Sequence, residues 1–262
     1  MTAASGASPW TSGDVHAEAI VAVAVLAFAY LRAWRARGVT IPWTIAWRGI
    51  AALGVTLLAV SGPLHALSER YLFSAHMVQH LLLTLVVPPL ALTGMPAFMI
   101  DALLAPWCRR PFTRSIVRWI TRPIPALAAY AGVLVLWHLP VAYDRALGSH
   151  LWHLVEHVML VGGAVLGWWP VLSRSTRAPA LPYAAQILYL FAFGMPMTVV
   201  AAMVTATDDV LYRFYETAPR ILGLAPLDDQ RLGGLIMWVP AGLVPLIVFT
   251  AVFFRWVASE PD

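Results

Sequence analysis

Four histidines in this 262-residue sequence form two pairs with the same spacing. His76 and His80 are the first pair, and His153 and His157 are the second. Residues four apart in an α-helix differ by about 40° around its axis, so each pair presents two imidazoles on one face. Two such pairs at a similar depth on neighbouring helices bring four imidazoles together. We predict that these four side chains share one metal ion.

Weaker candidate ligands lie near the two pairs in the sequence. His150 falls within about 20° of His157 around a helix axis, which extends the second pair into a stripe. Thioether sulfur is a ligand that favours Cu(I), so methionines near the same helix ends also count. The weaker candidates are two histidines, one glutamate and three methionines: His138, His150, Glu156, Met77, Met203 and Met237.

Polar neighbours of the pairs suggest supporting roles. Gln79 is adjacent to His80, and Glu156 is adjacent to His157. We interpret both as partners that orient an imidazole, because such partners are common around metal-bound histidines. Two further histidines, His16 and His65, stand alone at the ends of predicted spans. We interpret them as amphipathic side chains that face lipid headgroups.

The residue types alone leave the identity of the metal open. Imidazole binds zinc, copper, iron and nickel, and the methionines tilt the interpretation towards copper, as Cu(I) or Cu(II). The string HLVEH at 153–157 differs from the zinc-protease pattern H-E-x-x-H, so we predict no proteolytic activity. A haem held by one histidine from each of two helices is the main alternative. Closely spaced pairs suit a small ion better.

These histidines must be positioned by membrane helices. The chain is 60% hydrophobic and 11% charged, against about 25% charged residues in soluble domains. A membrane span needs about 20 mostly apolar residues. Seven segments meet this condition: 17–34, 46–65, 72–94, 124–142, 150–172, 181–206 and 232–254. We predict an all-α bundle of seven transmembrane helices that forms a single integral-membrane domain over residues 1–262.

The arginines predict the orientation of this bundle. All 17 basic residues are arginine, and cytoplasmic loops carry the excess of basic residues. Most arginines follow the odd-numbered spans: Arg32, Arg35, Arg37, Arg48, Arg109, Arg110, Arg114, Arg118, Arg122, Arg174, Arg177 and Arg255. The N-terminus, with an external tail over 1–16, is therefore predicted outside and the C-terminus inside. Residues 97–120 become a cytoplasmic interfacial connection, and all eight histidines lie at outer helix ends.

Charge and cysteine content exclude other classes. The net charge of +4 does not indicate nucleic-acid binding, because the arginines lie in short loops beside apolar spans. The single cysteine, Cys108, excludes an internal disulfide. We predict a multi-pass protein of a bacterial-type cytoplasmic (inner) membrane, in contact with lipid. Whether it forms a homo-oligomer stays open.

The start of the last predicted span carries a polar string, DDQRLGG at 228–234. Acidic residues suit the positive end of a helix dipole. An acidic mouth that concentrates a cation is the second interpretation. Gly233 and Gly234 predict close packing of this helix against a neighbour, because small residues let membrane helices approach each other.

Three stretches of sequence resemble the CtaG family, the seven-span cytochrome c oxidase assembly proteins rather than the single-span copper chaperones of the same name. They are HMVQHLLLTLVVPPLALTGMP (76–96), WHLPVAYDRAL (137–147) with HLWHLVEHVML (150–160), and DQRLGGLIMWVP (229–240). The resemblance runs from about the second span to the C-terminus. It implies maturation of a haem–copper oxidase, with an oxidase subunit as partner and copper as cargo. The motif positions it implies are His76, His80, His153, Glu156 and His157.

Three functions are compatible with these observations. The leading hypothesis is a non-enzymatic, copper-binding assembly factor for cytochrome c oxidase. The alternatives are a transmembrane copper transporter and a bis-histidine, haem-binding electron-transfer protein. A transporter needs polar groups throughout the bilayer, whereas the inner halves of the third and fifth spans read LLLTLVV and VMLVGGAVLGWW. This apolar composition argues against a complete path for an ion.

Reporter fusions test the predicted orientation. Fusions after Arg37, Arg118 and Arg177 should report a cytoplasmic location, and fusions near Asp144 and Ala218 an external one, because the arginine excess marks the cytoplasmic side. Alkaline phosphatase and fluorescent-protein activities give the two readings. An external signal at Arg118 would show that the segment 97–120 crosses the membrane.

Overall fold

The computed structural model describes residues 17–260, and this range contains helices and no strands. The helices are α1 (Ala17–Arg37), α2 (Trp43–Val60), α3 (Pro63–Arg70), α4 (Phe73–Leu81), a π-helical turn (Leu82–Val86), α5 (Val87–Gly94), α6 (Ala97–Leu104), α7 (Pro111–Ile120), α8 (Pro123–His138), α9 (Pro140–Leu147), α10 (His150–Leu172), α11 (Tyr183–Ala206), α12 (Arg213–Glu216) and α13 (Pro226–Val257). The predicted all-α class is confirmed.

Six helical segments are long and apolar enough to cross a membrane: α1, α2, the continuous stretch Phe73–Gly94, α10, α11 and α13. The helices α7 and α8 meet this condition only together, and they are bent by 72° at their junction. The chain is therefore a polytopic membrane protein, with six candidate spans among residues 17–260, or seven if the bent pair is one span. The segment predicted as an interfacial connection, 97–120, contains α6 and α7.

Two spans end earlier than the sequence predicts, at 60 rather than 65 and at 138 rather than 142. Gly62 has a φ of 80°, a left-handed conformation that breaks the chain direction between α2 and α3. Leu139 is extended because it precedes Pro140, and a residue before proline disfavours the helical region. Each predicted span tail thus becomes part of a separate short helix at one end of the bundle.

Pro88 explains the π-helical turn within the third span. Proline has no N–H group, so the carbonyl of Thr84 loses its usual intrahelical partner. The chain widens over Leu82–Val86, and the indole N–H of Trp168 on α10 donates to the Thr84 carbonyl oxygen at 3.0 Å. The hydroxyl of Thr84 donates to the carbonyl of His80 at 2.7 Å. The distortion thus ties α10 to the helix that carries the first histidine pair.

Close packing between α4 and α13 fixes the position of the helix that carries the first histidine pair. A Cβ atom at Gly233 would lie 2.3 Å from Cδ1 of Phe73, so only glycine permits this approach. The adjacent Gly234 is similarly close to α11, where an added Cβ would lie 3.2 Å from the carbonyl oxygen of Ala201. Both glycines therefore have the packing role predicted for them.

Asp229 on α13 caps the N-terminus of α4. Its carboxylate accepts hydrogen bonds from the backbone N–H groups of Phe73 at 2.7 Å and Ser74 at 3.2 Å, and from the Ser74 hydroxyl at 2.5 Å. The first N–H groups of a helix have no partner within it, and an anion there also interacts favourably with the helix dipole. Asp229 is 1% exposed. Asp229 therefore caps a neighbouring helix, whereas Asp228, which precedes it in the sequence, is exposed.

Replacing Asp229 tests this cap. Asp229→Ala should lower the free energy of unfolding by about 2 kcal/mol, because it leaves buried N–H groups of α4 without an acceptor. The exposed neighbour Asp228 provides the control, because Asp228→Ala should change the free energy of unfolding by less than about 0.5 kcal/mol. Denaturation in mixed micelles, followed by circular dichroism, measures both values. Equal effects of the two substitutions would contradict the cap.

Candidate metal centre

The first histidine pair lies on α4 in the interior of the bundle. His76 and His80 are 0% and 4% exposed, and their Nε2 atoms are 2.7 Å apart. Two nitrogens that bind one ion at about 2.0 Å each lie roughly 3 Å apart. The two imidazoles therefore already converge on a common point, as their spacing predicts.

Helix α10 brings Glu156 and His157 to the same point. The Glu156 carboxylate is 0% exposed, with its Oε1 atom 3.4 Å from Nε2 of His80 and its Oε2 atom 3.9 Å from Nε2 of His76. One ligand atom from each of His76, His80, Glu156 and His157 lies within 4.8 Å of the others. We call these four residues the inner cluster. It supplies three nitrogens and one oxygen.

The polar atoms of the inner cluster lack ordinary partners. Four of these atoms form no hydrogen bond with residues 17–260: both carboxylate oxygens of Glu156, Nδ1 of His80 and Nε2 of His157. A buried carboxylate is costly unless it is neutralised by a proton or by a cation. Three imidazoles and a carboxylate that point at one space form a donor set that suits a borderline metal ion such as copper or zinc.

Tyr215 holds the imidazole of His76 from its far side. The Tyr215 hydroxyl donates its one hydrogen to the carbonyl oxygen of Ser68 at 2.5 Å. Its oxygen therefore accepts from Nδ1 of His76, which is 3.0 Å away. The other nitrogen of this imidazole, Nε2, is left with its lone pair directed at the inner cluster. Metal-binding histidines are commonly held in this way.

The fourth predicted ligand, His153, lies beside the inner cluster and contacts a second group. Its Nδ1 atom is 2.8 Å from Oε1 of Glu69, and its Nε2 atom is 4.0 Å from Oε2 of Glu156. His65 also approaches Glu69, with 3.2 Å between Nε2 and Oε1. Ligand atoms of these three residues lie within 4.8 Å of each other. We call His65, Glu69 and His153 the outer cluster.

The Glu69 carboxyl is ionised at neutral pH. Partial burial opposes its ionisation, but hydrogen bonds from His153 and His65 outweigh this effect and hold its pKa well below the usual range. The side chain is 20% exposed, whereas those of His153 and His65 are 4% and 5% exposed. Glu69 is therefore the one member of the two clusters that keeps substantial contact with the surroundings.

The interpretation of His65 as a headgroup-facing side chain is wrong. The break at Gly62 turns α3 inwards, so His65 is 4% exposed and its ring stacks on that of His153 with centroids 5.6 Å apart. Gln79 holds it in place, with Nε2 of the amide 3.0 Å from Nδ1 of His65. Gln79 thus contacts an imidazole, although one that the sequence did not pair with it.

Of the weaker candidates, Glu156 joins the inner cluster, and the others do not. His138 is buried beside His80, with its Nδ1 atom 2.7 Å from the Leu134 carbonyl oxygen, and His150 is exposed at the start of α10. Met77 and Met237 belong to the main hydrophobic core, and Met203 is 68% exposed. His16 lies outside the described residues.

The sequence of this chain matches a known protein family. A model described as the cytochrome c oxidase caa3 assembly factor matches residues 25–259, which include both clusters and every helix from α2 to α13. The chain belongs to this family. The family match confirms the resemblance of the three sequence stretches and extends it into α1, which those stretches do not cover.

Relatives of this assembly-factor chain occur in mycobacteria. An uncharacterized protein of Mycobacterium leprae is 26% identical over 205 residues, which cover 72% of this chain and 30% of the relative. Uncharacterized proteins of Mycobacterium bovis and Mycobacterium tuberculosis are each 26% identical over 274 residues, covering 96% of this chain and 40% of theirs. The chain thus spans less than half the length of these relatives. No solved structure matches it.

The sequence patterns did not identify two residues that contact the candidate metal ligands, Glu69 and Tyr215. Glu69 follows His65 by four residues, so the pair shares a helix face, and this spacing was the available signal. Tyr215 lies in a short helix of the loop between α11 and α13, 139 residues from His76. No periodic pattern in the sequence connects these two positions.

Tyr215→Phe tests whether this hydroxyl orients a ligand of the assembly factor. The substitution removes the acceptor for Nδ1 of His76. If His76 is a copper ligand, as the sequence predicts, the affinity for copper should fall by about 10–100-fold, which is typical for a partner that orients a metal-bound histidine. Competition with a chromophoric chelator measures the affinity of the purified protein. Tyr183→Phe, at an exposed tyrosine at the start of α11, should leave it unchanged. An unchanged affinity in Tyr215→Phe would show that the Tyr215 hydroxyl does not orient His76 for metal binding.

Proposed function

We propose that this chain is a non-enzymatic assembly factor that binds copper at the inner cluster and assists metal-centre maturation of cytochrome c oxidase. The observation that carries the proposal is the buried carboxylate of Glu156, which lies among imidazoles of two helices and receives no hydrogen bond from residues 17–260. A cation at this position neutralises the carboxylate and satisfies the imidazole lone pairs. The family supplies the assembly role.

The ligands in this proposal are His76, His80, Glu156 and His157. His153 is an additional nitrogen ligand after a small movement, since its Nε2 atom is 4.0 Å from Oε2 of Glu156 and forms no hydrogen bond with any residue that the structure describes. Copper is the metal that the family association favours among those that suit imidazole. An oxidase subunit is the proposed recipient of the ion, and the extracytoplasmic side is its proposed location.

Packing beneath the cluster argues against transport through the bundle. The side chains that follow His80 and His157 along their helices include Leu81, Leu83, Leu85 and Leu160, which are buried in hydrophobic clusters. An ion that crossed the membrane would need ligands at this depth. The cluster thus fits a site that an ion enters and leaves at one end.

The same geometry disfavours a haem between the two histidine pairs. Haem is a flat macrocycle whose axial histidines lie on opposite faces. The Glu156 carboxylate occupies the space between α4 and α10, 3.4 Å from His80 and 4.0 Å from His153. This space suits a single ion and leaves no slot for a porphyrin.

A double substitution tests the proposed copper site. His76→Ala/His153→Ala removes one imidazole from each pair, and the purified protein should lose most of its bound copper. The loss of affinity should exceed the roughly 10–100-fold effect of an orienting residue. Cytochrome c oxidase activity in cells that carry the variant should fall in parallel.

The control is His150→Ala, because His150 is exposed and belongs to neither cluster. Copper content measured by mass spectrometry and a melting curve in detergent separate loss of the site from loss of the fold. A folded double variant that retains wild-type copper would exclude the inner cluster as the copper site.

A further inference from the structure

We propose that the outer cluster is a second ion-binding position, through which copper passes to the inner cluster. This inference rests on the proposed function, because it assigns a route to the ion that the inner cluster holds. It assigns His65, Glu69 and His153 as ligands rather than as supports alone.

The outer cluster has the composition of a small metal site. Its Glu69 carboxylate carries a negative charge, and imidazole nitrogens of His153 and His65 lie 2.8 Å and 3.2 Å from one of its oxygens. One ligand atom from each of the three residues lies within 4.8 Å of the others, which is close enough for them to hold one ion. Two nitrogens and one oxygen, with positions left for water, suit an ion that is held briefly.

His153 connects the two positions through the opposite nitrogens of one ring. Its Nδ1 atom contacts Glu69 in the outer cluster. Its Nε2 atom is directed at Glu156 in the inner cluster, 4.0 Å from the carboxylate, and forms no hydrogen bond with residues 17–260. An ion that moves from one position to the other therefore keeps the same imidazole as a neighbour throughout.

Exposure gives the route its direction. His76 and Glu156 are completely buried, whereas Glu69 is 20% exposed. A cavity of about 460 Å³ bounded by α1, α2 and α10 is lined by His65 and His153 of the outer cluster and also by His157 of the inner cluster. Glu69 is therefore the most accessible ligand, and its exposure places the entry of the ion at the outer cluster.

Loading of the outer position moves one proton within the His153 ring. In the metal-free protein, Nδ1 of His153 donates its hydrogen to Glu69, because a carboxylate can only accept. When an ion binds at Nδ1, the ring takes up its other neutral form, with the hydrogen on Nε2 and the lone pair of Nδ1 directed at the ion. The step changes no oxidation state and needs no oxidant or reductant.

Copper stoichiometry distinguishes a second site from a supporting role. Metal-free, detergent-purified protein is dialysed to equilibrium against Cu(II), and bound copper is measured by mass spectrometry. The wild-type protein should bind two equivalents. Glu69→Gln, which keeps the size of the side chain and removes its charge, should bind one. His65→Gln is a second variant with the same expected loss, and melting curves establish that each protein is folded.

The matched control is Glu216→Gln, an exposed carboxylate on the loop that carries Tyr215, which should still bind two equivalents. One equivalent in the wild-type protein, or two in folded Glu69→Gln, would overturn the second site and leave Glu69 as an orienting residue. Failure of the inner cluster gives a different result, because His76→Ala/His80→Ala would then bind as much copper as the wild-type protein. If both positions exist, this double variant keeps the outer equivalent and loses the inner one.

Discussion

A buried carboxylate that receives no hydrogen bond from residues 17–260 is the constraint on which the arrangement of the site depends. Glu156 is 0% exposed, and imidazole nitrogens of His80 and His76 lie 3.4 Å and 3.9 Å from its oxygens. Burying such a group costs several kcal/mol unless a cation or a proton compensates it. Burial of a large hydrophobic core elsewhere in the bundle offsets this cost. The uncompensated carboxylate lies between α4 and α10.

The imidazoles around that point are held from behind, which is what leaves their inner nitrogens available. Tyr215 holds His76, and Glu69 holds His153. These contacts depend on the loop that carries Tyr215 and on α3, neither of which contributes a residue to the inner cluster. Gln230 on α13 accepts a hydrogen bond from the backbone N–H of Leu211 and so fixes the loop that carries Tyr215. The polar string at the start of α13 thus helps to position Tyr215, although none of its residues belongs to either cluster.

Asymmetry along the bundle fits the assembly-factor family better than transport or electron transfer. One end of α4 and α10 carries ionisable side chains, and the remainder carries leucine, tryptophan and the π-helical turn imposed by Pro88. Trp168 satisfies the carbonyl that the proline leaves open, so the distorted span needs no water in its interior. In the proposed function, an ion therefore enters and leaves at the polar end.

The sequence by itself determined the long helices and the pairing of the candidate histidines. Hydropathy located these helices, and the four-residue spacing placed His76 with His80 and His153 with His157, because helix periodicity is a local property. Only the tertiary structure decided which of these residues lie together. It placed Glu156 in the inner cluster, turned His65 inwards after Gly62, and joined His153 to Glu69. It also brought Tyr215 to His76 across 139 residues. Such contacts arise where irregular segments fold back on a bundle, and neither hydropathy nor periodicity records that geometry.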